Sequence, residues 1–494
     1  MQSLVHFFID RRTRYVLAWV VLAIAIVGRG RQAWVNCEVA DRSDGNDGHT
    51  AIDFGGQWML GRLLVLGHGR DLYARPVHLA VARESYAHDR EPPGRNIHDA
   101  ERLVGWYPGL PDDPVGGPLY PPVHAFVMAP VARIDDPQIA YRVTQGVMFL
   151  ALFAAGLGVR YLSHGRWWWP VATAFLVMYP GCRAGLDLAQ NSPLTVGLLV
   201  WGWALTVRGR PAWGGVLWGL LAFKPVWAVS FLAALLLLRQ WRAALAMAST
   251  GAGLVLLTLP FVGVRAWLDW LHVGGLAAET YAIDEAWISL SRDLFGVPRR
   301  FLLDFRDGAA VNDRPAVALA GWALWLIVAG VTFAVVRASR SYGLRPPLAA
   351  LVLLAAWLCT YRFMYYDSLV AALGVVVLLA DPRPFFRREW WPVASWAVAF
   401  VGLMFAIENV TVPLRIEVTA RVGYFNREVA GDDGHPTTTA PKVRFTSGDD
   451  YPWDTLAVAI LWAWCVRTSW NSRKAEMGSA GDAAQSIKGG PDID

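Results

Sequence analysis

Apolar and polar positions alternate along this chain in blocks. Apolar stretches run over 15–28, 120–134, 138–158, 168–181, 192–207, 211–238, 243–262, 316–336, 347–361, 367–380, 391–407 and 453–467. Blocks of this kind with few charges predict helices in a bilayer, several of them shorter than the ~20 residues that a perpendicular crossing needs. Counting each block once predicts about 12 transmembrane helices with both termini on one side. The expected fold class is an all-α polytopic membrane protein: one transmembrane domain over 1–467, then a disordered cytoplasmic tail over 468–494. Long polar stretches at 29–119, 264–315 and 408–452 are the expected outer loops, with short helices lying at the membrane surface.

Basic residues at the joints set the orientation. Arg11, Arg12 and Arg14 precede the first block, and Arg239, Arg242, Arg337, Arg340, Arg345, Arg383, Arg387, Arg388, Arg467, Arg473 and Lys474 flank later ones. By the positive-inside rule these mark the cytoplasmic side. The first block lacks a small-residue cleavage site and reads as an uncleaved anchor. Arg160, His164, Arg166, Arg208 and Arg210 fall outside in the twelve-span count, against the rule. If 211–238 were instead a hairpin turning at Lys224 and Pro225, those residues would move inside and 120–134 would be re-entrant. The twelve-span version is preferred, with Lys224 at a kink inside one long helix.

Composition agrees with a lipid-embedded chain. Of 494 residues, 55% are hydrophobic, 17% are charged and 26 are Trp, which excludes an ordinary soluble domain. The net charge of +5 is absorbed by the topological arginines, so no nucleic-acid surface is read from it. Cys37, Cys182, Cys359 and Cys465 give neither a disulfide framework nor a zinc spacing. No metal-ligand cluster is apparent, and no cofactor is implied.

The candidate chemistry gathers around a few polar residues in apolar surroundings. Asp53 opens AIDFGGQWMLGRLLVLGHGRDLY, where Trp58, Leu60, Leu63, Leu64 and Leu66 predict the apolar face of a short helix lying flat at the outer surface. There it reads either as a helix cap or as a general base taking a proton from an attacking hydroxyl. Asp71 competes for both roles. Asp187, Gln190 and Asn191 interrupt DLAQNSPLTVG at membrane depth, as caps or as the lining of a polar cavity. Lys224 is the only lysine before residue 442 in a chain with 45 basic residues. A lysine within a span costs about 2.5–3.5 kcal/mol unless it snorkels or meets an anion, and a lipid phosphate suits a compact ammonium. TYRFMYYDS carries Arg362, Tyr365, Tyr366 and Asp367 at an outer helix end, where Arg362 could pair with Asp367.

The order DFGGQWMLGRLLVLGHGRDLY, YPPVHAFVMAP and then AQNSPLTVG through LLAFKPVWA resembles glycosyltransferase family 87, within the GT-C class of polytopic transferases. The similarity covers roughly residues 50–260, and the remainder matches in hydropathy layout. The resemblance implies inverting transfer of one hexose, commonly mannose, from a polyprenyl-phosphate donor to a glycan or glycolipid acceptor on the extracytoplasmic side of the cell membrane. It implies Asp53 as catalytic base and matches Lys224 with Pro225, and Gln190 with Asn191, to family motifs; the residues themselves then read as Lys224 with Arg362 at the donor phosphate and Tyr120, Asp187, Gln190, Asn191, Tyr366 and Asp367 on the substrate side. Membrane lipids are the surrounding partners. Ala189 stands where the family has glycine, and the late Ser-Trp and His-Tyr motif appears only as YRFMYYD. A secondary transporter and a non-catalytic membrane assembly protein are the rival readings. Paired inverted repeats would mark a transporter, and none is found between the halves.

Overall fold

The computed structural model describes residues 10–38, 53–86, 114–306, 309–312, 314–339, 344, 346–380, 402 and 452–488. Those residues are almost entirely helical; a two-residue antiparallel pair, Phe305–Arg306 with Ala309–Ala310, is the one sheet among them. The helices follow the apolar blocks: Arg11–Glu38, Pro122–Ala132, Pro137–Leu162, Trp169–Met178, Ser192–Val207, Pro315–Ala338, Pro346–Leu358 and Ala372–Leu379. Four described helices are long and apolar enough to cross a membrane, those within Arg12–Trp34, Pro137–Leu162, Trp241–Ile283 and Pro315–Ala338. Seven shorter apolar helices accompany them, so the count of twelve spans does not emerge from the described residues. The block at 391–407 and the loop at 408–452 lie outside the described residues, apart from Gly402 and Pro452.

The block at 211–238 is a hairpin, which corrects the expectation of one kinked helix. A helix Pro211–Gly219 runs into a 3-10 turn Leu220–Phe223, and a second helix Pro225–Leu237 leaves from Lys224. Thirteen residues along one helix would separate Trp218 from Phe231 by about 20 Å. Their ring centroids are 5.3 Å apart. The cause is local: proline offers no N–H and forces the preceding residue out of the helical region. Lys224 accordingly sits at φ −138°, ψ 75°. The first arm lies flush on the helix that begins at Trp241, because a Cβ on Gly215 would stand 2.1 Å from the Ala243 carbonyl oxygen. Arg210 and Arg242, each just ahead of that contact, therefore share one end of the bundle.

The hairpin brings the basic joints together. Arg208 donates to the Tyr161 carbonyl at 2.6 Å, and Arg166 to that of Ala380 at 3.4 Å. Tyr15 and Trp168 meet with ring centroids 5.1 Å apart, which sets the start of the first helix in the same layer. The block at 120–134 holds a helix shorter than a full span needs. Its helix Pro122–Ala132 has 11 residues, about 16 Å of rise, and runs beside the helix Asp53–Val65. Arg62 ties the two by donating to the Ala132 carbonyl at 3.2 Å and pairing with Asp135 at 2.7 Å.

Helix Asp53–Val65 begins where the sequence predicts, but it is enclosed rather than lying flat with one face exposed. Phe54, Trp58, Met59, Leu60 and Leu63 are fully buried, and only its C-terminal edge at Val65 and Leu66 is open. Above it the chain turns sharply at Gly263 (φ 71°, ψ 170°) within Trp241–Ile283, and the following segment folds over the site. Trp270 fastens this segment by donating to the Leu119 carbonyl at 3.0 Å. The tail expected to be disordered from 468 continues as helix Trp453–Lys488. Its Ala, Glu, Lys, Met and Gln residues are strong helix formers, which outweighs the scattered glycines.

Candidate active site

Most of the candidate residues share a structural position at or just before the start of a helix, while Asp187 ends the helix Cys182–Asp187. Asp53 is the first residue of Asp53–Val65, Tyr120 precedes Pro122–Ala132, and Asn191 caps Ser192–Val207. Lys224 caps Pro225–Leu237, while Tyr366 and Asp367 lie in the first turn of the 3-10 helix Tyr365–Ala371. Proline fixes these starts, occupying the first turn after Pro121, Asn191 and Lys224. Helix N-termini carry partial positive charge, so several aimed at one place favour an anion.

Two hydrogen-bonded groups meet there. In the first, Gln190 donates from Nε2 to Asp53 Oδ1 at 3.3 Å and accepts at Oε1 from the Tyr120 hydroxyl at 2.6 Å. Gln57, one turn beyond Asp53, donates to the Ala189 carbonyl at 3.3 Å and accepts from Asn191 Nδ2 at 3.4 Å. In the second, Lys224 Nζ donates to both carboxylate oxygens of Asp367, at 2.7 and 2.8 Å. Trp357 steadies that turn through the Asp367 carbonyl at 3.1 Å, and the Tyr366 ring lies 5.3 Å from the ammonium. Burial, and the nearby carboxylates of Asp53 and then Asp367, push the Tyr120 phenol well above its usual range. The half-buried Tyr120 phenol thus feels the carboxylates of both groups.

The lone lysine thus has an internal counter-ion, and its pairing rules out an Arg362–Asp367 pair. Arg362 points the other way. Its Nη1 donates to the carbonyls of Ala277 and Ala278, and its guanidinium lies 4.9 Å from the Tyr361 ring centroid. It adopts φ 50° to reach them. Asp187 is engaged with Arg183 at 3.6 Å, and its carbonyl accepts from the Tyr141 hydroxyl, so it serves the turn beneath Gln190. The rival acid Asp71 is exposed in the 3-10 turn Gly69–Asp71, beyond the far end of a helix about 20 Å long.

Three neighbours of the site have no individual role in the sequence reading. Gln57 follows Asp53 by four residues within one helix, so helical periodicity sets it near its partner, whereas Tyr120 lies before the helix that carries His124 and no such spacing joins them. His124 is fully buried and stacks on Tyr120 with centroids 4.2 Å apart and planes 19° from parallel. Tyr281, from the segment folded over the site, has no local signal. Among the described residues no group of His, Cys, Asp or Glu is arranged to hold a metal ion.

The model of glycosyltransferase family 87 matches residues 119–364 of the chain. The matched segment includes Tyr120, Gln190, Asn191, Lys224 and Arg362; it begins after Asp53 and ends before Tyr366 and Asp367. Neither a curated protein nor a solved structure matches.

Proposed function

We propose that this membrane glycosyltransferase, matched to family 87, moves one hexose, mannose foremost, from a polyprenyl-phosphate donor to a hydroxyl of a glycan or glycolipid. In this reading the acceptor oxygen attacks the anomeric carbon while Asp53 takes its proton. The bond from that carbon to the phosphate oxygen breaks, the phosphate leaves with the electron pair, and the configuration inverts. The leaving group passes from a singly charged diester to a doubly charged monoester. Cationic and dipolar groups fixed around it lower the barrier by favouring that added charge. The converging helix starts and the ammonium of Lys224 are the groups offered here, with Arg362 at the outer edge.

The observation that carries this reading is the sharing of one phenol. Asp53 reaches the Tyr120 hydroxyl through Gln190, and the carboxylates of both Asp53 and Asp367, the partner of Lys224, act on that phenol, which supports reading the acid and the cation as parts of one site. Gln190 fixes the orientation of the base, while Tyr366, Asn191 and Gln57 line its surroundings. The GT-C architecture and an extracytoplasmic site in the plasma membrane belong to the same proposal. They draw support from the gathering of arginine joints at the opposite end of the bundle.

The test is incubation of the full chain in lipid with a panel of polyprenyl-phosphate hexoses, following release of the carrier phosphate. Wild type should release carrier with one hexose, and Asp53→Asn should lower turnover by at least about a hundredfold without loss of folded protein. Near-normal turnover in Asp53→Asn removes the base from the mechanism.

A further inference from the structure

His124 is a buried polar side chain that the reaction outlined above leaves unused. It is fully buried on helix Pro122–Ala132, and neither ring nitrogen has a hydrogen-bond partner among the described residues. Such groups cost free energy unless something satisfies them. Its ring is held flat on Tyr120 and approaches Phe223, the residue before Lys224, at 5.9 Å between centroids. It is therefore clamped between the two groups that form the site. Burial and the neighbouring ammonium of Lys224 both disfavour the imidazolium, so the ring is neutral and offers one N–H.

The donor phosphate has need of that N–H. Asp367 already takes two of the three ammonium protons of Lys224, and Arg362 is turned toward the carbonyls of Ala277 and Ala278. A phosphate entering between the helix starts meets a pair whose net charge is zero. We infer that His124 donates a hydrogen bond to a phosphate oxygen of the polyprenyl-phosphate sugar, and that this bond strengthens as the leaving group gains its second negative charge. The inference rests on the transferase reading above. His124 transfers no proton in this scheme: the acceptor proton goes to Asp53, and the phosphate departs with the electron pair of the broken bond.

The experiment uses the full chain in lipid nanodiscs and two replacements. His124→Phe keeps the stack on Tyr120 and removes the donor; His124→Gln restores an N–H without an imidazole. Binding of polyprenyl monophosphate, carrier release from the active polyprenyl-phosphate hexose, and thermal unfolding are measured for each. His124→Phe should bind the lipid phosphate roughly tenfold more weakly and lose about a hundredfold in kcat, because the bond matters most as charge develops. His124→Gln should recover most of both at an unchanged Tm. Wild-type affinity and turnover in His124→Phe overturn the inference, and so does a loss that His124→Gln fails to recover. A wild type that neither binds polyprenyl monophosphate nor releases carrier defeats the transferase reading itself, and this inference falls with it.

Discussion

At the scale of single residues, the site was legible where a charge or amide had no business in lipid. Lys224, Gln190 and Asn191 are visible in the sequence because each is expensive at membrane depth, and Asp367 because it follows two tyrosines at an outer helix end. Which cation meets which carboxylate was not, since pairing depends on how separate helices dock. Lys224 and Asp367 are 10% and 2% exposed, and removing one partner strands the other. Asp367→Asn should destabilise the protein by about 3–5 kcal/mol in thermal or denaturant unfolding, whereas the double variant Lys224→Met with Asp367→Leu should unfold later than either single change. Ala189 marks the opposite case, an alanine held where the backbone suits glycine. It sits at φ 46°, a left-handed conformation in which glycine carries no Cβ penalty. Ala189→Gly should therefore raise stability by up to about 1 kcal/mol, read as a higher Tm at equal activity. A lower Tm would mean that the methyl's burial outweighs the strain.

At the scale of elements, apolar blocks predict helix positions closely: 192–207 is helix Ser192–Val207, and 138–158 lies within Pro137–Leu162. Hydropathy could not decide whether 211–238 crosses once or doubles back, because a buried hairpin and a span are equally apolar. The deciding information is in small residues and proline. Gly215 admits the Ala243 backbone, and Pro225 ends the first arm. Gly215→Ala should cost about 1–3 kcal/mol or more, because the added methyl would meet a carbonyl oxygen at 2.1 Å that cannot rotate away. Gly253→Ala, on the helix that the arm packs against, has open space within 4 Å and should be neutral or stabilising by up to about 1 kcal/mol. Equal effects of the two substitutions on Tm would sink the close-packed hairpin. The enclosed helix Asp53–Val65 teaches the same lesson. Its glycines at 55, 56 and 61 left little polar surface on the face that a flat-lying helix would show to water.

At the scale of the whole molecule, the hairpin and the short helix Pro122–Ala132 together change which side of the membrane each joint reaches. A twelve-span chain would send Arg160, Arg166, Arg208 and Arg210 to the face opposite Arg239 and Arg242. With the hairpin all six share one face, and the positive-inside rule holds without exception among them. The polar site then occupies the other end of the bundle, where Asp53 begins its helix and the segment after Gly263 folds over. The two topologies differ at exposed positions that tolerate a cysteine. In a background with Cys37→Ser, Arg210→Cys should react with a membrane-impermeant maleimide only after permeabilisation. Asp71→Cys, exposed beyond the far end of the helix that carries Asp53, should react in intact cells. Labelling of Arg210→Cys from outside would restore the single long span, separate Lys224 from the helix starts that now surround it, and dissolve the pocket on which the transferase reading depends.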